Sequence, residues 1–144
     1  MIVNTAYIYM GNGGAPVNPN LWQDGVSNYP VVFTKGSSIS ADGLALPKDG
    51  GAATFSELQL TGFNSLTISL NTRVFIDIPI KIEFFNSDGQ LLGTETVKFK
   101  GSTSETPAPK TVNIPSSAKI QNAKIRMTNT SKNVSTTLFS TFLS

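Results

Sequence analysis

Apolar and polar residues alternate along much of the chain, which is the pattern of strands that bury one face. The clearest stretch spans residues 74 to 85, in which the apolar side comprises Val74, Ile76, Ile78, Ile80, Ile82 and Phe84. Successive side chains of a strand point to opposite faces, so this stretch predicts a strand with an apolar inner face and a largely polar outer face. Pro79 cannot donate to a ladder and therefore predicts a sheet edge or a bulge.

Shorter stretches of the same kind recur, and turn residues separate them. They cover residues 2 to 10, 31 to 34, 38 to 46, 54 to 60, 65 to 71, 97 to 99, 111 to 114, 123 to 127 and 136 to 143. No stretch has the periodicity of a crossover helix, so parallel βαβ units are not expected. The pattern predicts an all-β fold, an antiparallel β-sandwich of jelly-roll type, with a closed β-barrel as the alternative.

The segment Asn86-Ser87-Asp88-Gly89 lies between two apolar runs and predicts a hairpin. An Asp-Gly pair accepts the positive φ values that a tight primed turn requires. The outward residues of this hairpin, among them Lys81, Glu83 and Lys98, are expected to form an ordinary solvated exterior.

Length and composition argue for one non-enzymatic domain, residues 1 to 144. The chain contains no Cys and no His, which excludes disulfides, thiolate zinc sites and the commonest general base. Asp77 and Glu83 share one side of a strand but lie about 20 Å apart along it, too far for the carboxylate pair of a glycosidase. No catalytic residue, cofactor or metal ligand is assigned. A calcium ion held by the loop residues Asp24, Asp42 and Asp49 is the open alternative.

Charge is modest, with a formal net charge of +2, and the Lys residues are spread among Ser, Thr and Asn. A nucleic-acid partner is therefore not expected, because such binders cluster their basic residues. The stretch MIVNTAYIYMGNGG lacks the basic and apolar regions of a secretory signal, and no apolar run is long enough to span a membrane. These features predict synthesis in a cytosol and no membrane partner.

Residues 11 to 30 do not alternate, and they contain the only Trp of the chain. Flat aromatic faces next to amides and carboxylates are typical of sugar-binding sites. The candidate carbohydrate-binding residues are Trp22, Asp24, Asn28 and Tyr29, with Arg126 on a late strand as a further contributor. The competing interpretation is that Trp22 fills one end of the sandwich.

Two resemblances bear on function. Roughly residues 50 to 144 resemble galactose-binding-like jelly-roll modules. The resemblance lies in the order of three segments, FSELQLTGFNSLTISL, IKIEFFNSDGQLLGT and KTVNIPSSAKIQNAKIRMTNTS. The opening MIVNTAYIYMGNGG and the richness in Ser, Thr, Asn and Gly look like small structural proteins of tailed bacteriophages.

The phage resemblance implies a tail, baseplate or capsid-decoration protein on the virion, packed on other virion proteins. It also implies homo-oligomers and contact with the host surface. The alternative implied by the first resemblance is a module that recognises bacterial surface glycans.

Overall fold

The structure is a computed structural model that describes residues 18–119 and 122–144. The strand predicted for residues 2 to 10 lies outside these ranges. Within them the chain consists of strands joined by turns and loops, as the alternating pattern predicts. No helix in these ranges is long and apolar enough to cross a membrane.

The strands follow one another along the chain, with a single turn of 3₁₀ helix, Ser116–Lys119, in the described part. They are β1 (Trp22–Gln23), β2 (Val26–Ser27), β3 (Val31–Thr34), β4 (Ser38–Ser40), β5 (Gly43–Leu46), β6 (Ala52–Gln59), β7 (Ser65–Ser69), β8 (Ile78–Asn86), β9 (Leu91–Phe99), β10 (Lys110–Asn113), β11 (Asn122–Asn129), β12 (Thr136–Leu138) and β13 (Ser140–Leu143).

The strands form an antiparallel β-sandwich of jelly-roll type. One layer is a five-stranded sheet in the order β3-β6-β11-β8-β9. The other layer comprises two three-stranded sheets, β10-β7-β13 and β12-β5-β4, and the short hairpin β1-β2 lies beside them. The sheets remain open at their edges, so the fold is the predicted sandwich and not the closed barrel.

The core lies between the two layers and contains side chains from both. Phe55, Phe84 and Phe99 are its largest fully buried side chains on the five-stranded sheet. Leu44 and Leu66 of the opposite layer belong to the same buried cluster. Burial of this kind contributes about 25 cal/mol for each Å² of apolar surface removed from water. From Ile78 to Phe84 the predicted inward face is the face that the fold buries. The predicted strand over residues 74 to 85 begins only at Ile78, and Ile76 is 43% exposed, because the ladder with β9 starts at the pair of Ile78 with Phe99.

The hairpin at Asn86 is confirmed, but its turn differs from the primed turn that the sequence predicts. Only Gly89 has positive φ, at 86°, while Asp88 does not. The Asn86 side chain shapes the loop, because its Oδ1 accepts hydrogen bonds from the backbone N–H groups of Asp88 and Gln90, at 3.0 and 2.9 Å. Gly89 therefore takes the left-handed position of a longer loop.

Pro79 does not mark an edge or a bulge of the sheet, because β8 pairs with β9 on one side and with β11 on the other. The ladder between β11 and β8 ends at the pair Asn129 and Ile80, so Pro79 lies just beyond it. There the Pro79 carbonyl accepts a hydrogen bond from the N–H of Thr130, at 3.2 Å. A missing N–H costs little at a position where the neighbouring strand has already ended.

A second hairpin, β1-β2, lies in the stretch whose sequence does not alternate. Its strands pair Trp22 with Ser27 and Gln23 with Val26, which leaves Asp24 and Gly25 as the two turn residues. Both have positive φ, 54° and 82°. This is the geometry of a type I′ turn, for which Asp-Gly is a preferred pair. The Asp24-Gly25 pair is a turn signal in the sequence, but strands of two residues are too short to show the alternation of apolar and polar residues.

Candidate functional site

Three turns meet at one place on the sandwich and enclose a pocket of about 380 Å³. They are the β1-β2 turn, the β4-β5 turn and the junction between β12 and β13. We call this cavity the loop pocket. The side chains that give it its chemistry are Asn20, Trp22, Gln23, Asp24, Ser40, Phe139 and Ser140.

The junction between β12 and β13 explains why an aromatic ring lies at the surface of the loop pocket. Leu138 and Thr141 are both buried although they are three residues apart, so strict alternation is interrupted between them. At this point the chain changes partner, from β5 to β7. Phe139 lies at the change, anchored by a 2.9 Å hydrogen bond from its N–H to the carbonyl of Ser69. Its side chain is left 44% exposed.

Trp22 lines the loop pocket, but only 4% of its surface is exposed. Its ring stacks on the core residue Phe55, with centroids 5.9 Å apart and an interplanar angle of 21°. Its Nε1–H donates to the carbonyl of Phe139, at 3.1 Å. Trp22 therefore belongs to the core and supports the backbone that carries the exposed Phe139 ring, as the competing interpretation of this residue expects.

Tyr29 and Asn28 hold the segment that precedes β1. Tyr29 is 4% exposed, and its hydroxyl donates to the carbonyl of Asn18 at 2.7 Å. The side-chain amide of Asn28 donates to the carbonyl of Asn20 at 2.9 Å. Ligand contact by these two residues stays a prediction. Their hydrogen bonds show a structural role, because Tyr29 positions the backbone of Asn18 and Asn28 positions that of Asn20.

Asp24 lies on the rim of the loop pocket, at the exposed tip of the β1-β2 turn. The positive φ of Asp24 and the close approach of Gly25 to the β4-β5 turn determine the position of the Asp24 side chain. A Cβ atom added to Gly25 would lie 3.4 Å from the backbone nitrogen of Ala41. The Asp24 carboxylate is thus presented to solvent by a turn that is packed against its neighbour.

Arg126 lies on the opposite face of the five-stranded sheet. In the ladder between β11 and β6, Arg126 pairs with Thr54, and the residue before it, Ile125, pairs with Phe55. Phe55 is the core residue on which Trp22 stacks. Adjacent residues of a strand point to opposite faces, so the Arg126 side chain points away from the loop pocket. The structure brings Trp22 and Asp24 together and leaves Arg126 outside their site.

Phe139 was missed as a candidate because residues 136 to 143 look like one continuous strand. A signal was nevertheless present. Leu138 and Leu143 are five residues apart, an odd spacing that places them on opposite faces of a regular strand. If both are core residues, an irregularity must lie between them, and Phe139 is the large residue next to it.

The three aspartates considered for calcium do not form one site. Across residues 18–119 and 122–144, no group of three or more His, Cys, Asp or Glu side chains is close enough to hold a metal ion. Asp49 instead forms an ion pair with Lys132, with Oδ1 and Nζ 3.6 Å apart.

No protein-family model and no curated protein matches the sequence. Among solved structures, the chain is similar to a carbohydrate-binding module specific for non-crystalline cellulose, described as CBM28. The TM-score is 0.40 and the sequence identity 13%, and the match covers 90% of this chain and 92% of the module. A similarity of that size does not indicate what this chain binds.

Proposed function

We propose that this protein is a non-enzymatic module that binds a neutral sugar unit of a glycan in the loop pocket. The observation that carries the proposal is the exposed ring of Phe139 beside amide, carboxylate and hydroxyl side chains. A sugar has a C–H face that packs on an aromatic ring and hydroxyl groups that need hydrogen-bond partners. The loop pocket offers both kinds of contact.

The polar groups of the loop pocket come from separate elements. Gln23 and Asp24 lie in the β1-β2 hairpin, Ser40 ends β4 and Ser140 begins β13. Amide and hydroxyl groups both donate and accept hydrogen bonds, while the Asp24 carboxylate only accepts. This mixture matches the hydroxyls of a sugar, which act as donors and acceptors. A volume of about 380 Å³ lies in the usual range for small-molecule sites.

Glycan-array screening followed by calorimetry on the best ligand tests this proposal. The informative variant is Phe139→Ala, because it removes the exposed ring without removing a core side chain. We expect it to weaken binding by about tenfold or more, through loss of the stacking face. Trp22→Ala is a poor test, since the buried ring supports the fold itself.

Phe142→Ala is the matched control. Phe142 is also an exposed phenylalanine on β13, at 51% exposure, but it does not line the loop pocket. We expect this variant to bind as the wild type does. Equal loss in both variants, or no response to any glycan on the array, would contradict the proposal.

A further inference from the structure

The outer face of the five-stranded sheet contains a second pocket, of about 250 Å³, which we call the Arg126 pocket. Its walls come from four strands and the turn before β6. The side chains that matter are Thr34, Thr54, Thr128, Lys81, Glu83 and Arg126. It lies on the face of the sheet away from the core and from the loop pocket.

Strand register arranges these side chains in two rows that run across the strands. In one row Thr54 is next to Arg126, which is next to Glu83. In the neighbouring row Thr34 is next to Ala52, followed by Thr128 and Lys81. The small Ala52 side chain at the centre of the second row leaves the space that forms the pocket.

Glu83 fixes the guanidinium of Arg126. Nε and Nη2 of Arg126 both lie 2.9 Å from Oε1 of Glu83. The guanidinium carbon also lies 4.8 Å from the centroid of the Phe85 ring, a cation–π distance. Glu83 is only 8% exposed, so the expectation of an ordinary solvated exterior was wrong for this residue. A carboxylate this buried is occupied by its partners, and Arg126 has little freedom to move.

The Arg126 pocket keeps positive charge that Glu83 does not neutralise. Two cations, Lys81 and Arg126, line it together with one carboxylate, Glu83. Lys81 Nζ is 3.8 Å from the carboxylate, and its side chain is 39% exposed. The remaining N–H groups of Arg126 have no partner among the described residues. A guanidinium with free N–H groups is well suited to bind carboxylate or phosphate oxygens.

We propose that the Arg126 pocket binds the anionic group of an acidic polysaccharide, a carboxylate or a phosphate. Lys81 and Arg126 contact the anionic group, and the hydroxyls of Thr34, Thr54 and Thr128 contact the hydroxyls of the sugar that carries it. The two pockets share no residues, so this inference does not depend on sugar binding in the loop pocket. Together the two proposals give the module one site for a neutral sugar unit and another for an acidic one.

Titration of the ¹⁵N-labelled protein with sodium D-glucuronate, D-glucose and inorganic phosphate tests the inference. We expect glucuronate to shift the backbone amide signals of Thr54, Lys81 and Thr128, and to do so less at higher ionic strength. Glucose should leave these signals unchanged. A response to phosphate without one to glucuronate would also support an anion site, and would assign the ligand to phosphate-bearing polymers.

Three charge variants sharpen the test. Arg126→Gln should abolish the response, and Lys81→Gln should weaken binding by about two- to fivefold, the range of a partly exposed charge contact. Lys110→Gln removes the same charge from β10 in the other layer and should change nothing. Phe139→Ala should also leave the response intact, which separates this inference from the function of the loop pocket.

Three outcomes would overturn the inference. They are equal responses to glucose and glucuronate, no response of these amides to either anion, and equal weakening by Lys81→Gln and Lys110→Gln. Because Arg126→Gln leaves the buried Glu83 carboxylate with fewer partners and can destabilise the fold, Lys81→Gln is the decisive variant.

Discussion

At the scale of single residues, burial separates side chains that the sequence presents as equivalent. Trp22 and Phe139 both line the loop pocket, yet one stacks on Phe55 in the core and the other is half exposed. A buried ring contributes to folding, whereas an exposed ring beside polar groups is available to a ligand. The two residues should therefore respond to substitution in opposite ways.

Trp22→Ala should lower the free energy of unfolding by about 3 to 5 kcal/mol, because it leaves a large cavity next to Phe55. Phe139→Ala should lower it by less than about 1 kcal/mol, since Phe139 is 44% exposed and its ring is not part of the buried core. Urea denaturation followed by fluorescence or circular dichroism measures both changes. Similar losses in the two variants would show that the Phe139 ring has a core role.

Asn129 has a structural role that its sequence motif does not indicate. It begins the sequon Asn129-Thr130-Ser131, yet its side chain is fully buried. Its Nδ2 donates to the carbonyls of Leu46 and Val134, at 3.0 and 2.9 Å. Both amide protons are thus engaged, so in the folded chain the Asn129 side chain has a structural role.

Asn129→Ala should destabilise the fold by about 2 to 4 kcal/mol, because it leaves two carbonyls and the N–H of Ser131 without their partner. Asn133→Ala, in the neighbouring exposed sequon, is the control and should stay within about 0.5 kcal/mol of the wild type. Thermal denaturation of both variants provides the comparison. A mild effect at Asn129 would mean that water replaces the amide at this site.

At the scale of elements, the turns determine where strands meet and where the loop pocket opens. The β5 strand begins at Gly43, which has a φ of 121° and lies against the β12-β13 junction. A Cβ atom added there would be 2.1 Å from the carbonyl oxygen of Leu138, so the junction depends on the absence of a side chain. The same close approach involves the backbone of Leu138 and the Cα of Phe139.

Gly43→Ala should destabilise the protein by more than about 1 kcal/mol, because both the φ angle and the contact with Leu138 oppose a side chain. Gly62→Ala is the matched control, since no atom lies within 4 Å of its added Cβ. Differential scanning calorimetry should show a lower melting temperature for the first variant only. An equal effect of the two variants would contradict the packing argument.

At the scale of the whole molecule, the second layer depends on strands that are distant in sequence. The β12 and β13 strands near the C-terminal end pair with β5 and β7 and add Leu138 and Leu143 to the core. Most of the pairing that forms this layer therefore joins segments separated by many residues. Such a layer forms only when the entire domain folds.

Deletion of residues 136–144 should abolish cooperative unfolding, because it exposes one edge each of β5 and β7 and opens the core. Calorimetry should show a broad transition or none, and far-ultraviolet circular dichroism should show loss of strand signal. Phe142→Ala in the full chain is the control and should unfold cooperatively. A sharp transition in the shortened protein would show that the five-stranded sheet is stable without these strands.

The virion role stays a prediction of the sequence resemblance. It predicts that the protein is found in purified phage particles, where it contacts other virion proteins and is displayed toward the host surface. Mass spectrometry of purified particles, with the clarified lysate as comparison, tests it. A glycan-binding sandwich is compatible with a position on the virion surface. Absence of the protein from purified particles would contradict the virion role and would leave the two binding proposals unaffected.

Much of the fold was predictable because it depends on local pattern. Alternation predicted the strands of the core hairpin, and the Asp-Gly pair at Asp88 marked its turn. The site was predictable only in part. Asp24 and Trp22, which line the loop pocket, were candidates because of their residue types, but the exposure of Phe139 and the burial of Glu83 follow from strand pairing.

Local sequence pattern was sufficient to predict the fold class, the inward faces of the core strands and the place of the hairpin at Asn86, because these depend on neighbours one to four residues away. Which aromatic ring faces solvent and which charges form pairs depend instead on contacts between distant segments. Trp22 is buried because Phe55, far along the chain, lies under it, and Arg126 is fixed because strand register places Glu83 beside it. Burial and charge pairing are properties of distant residues brought together, and no local pattern specifies them.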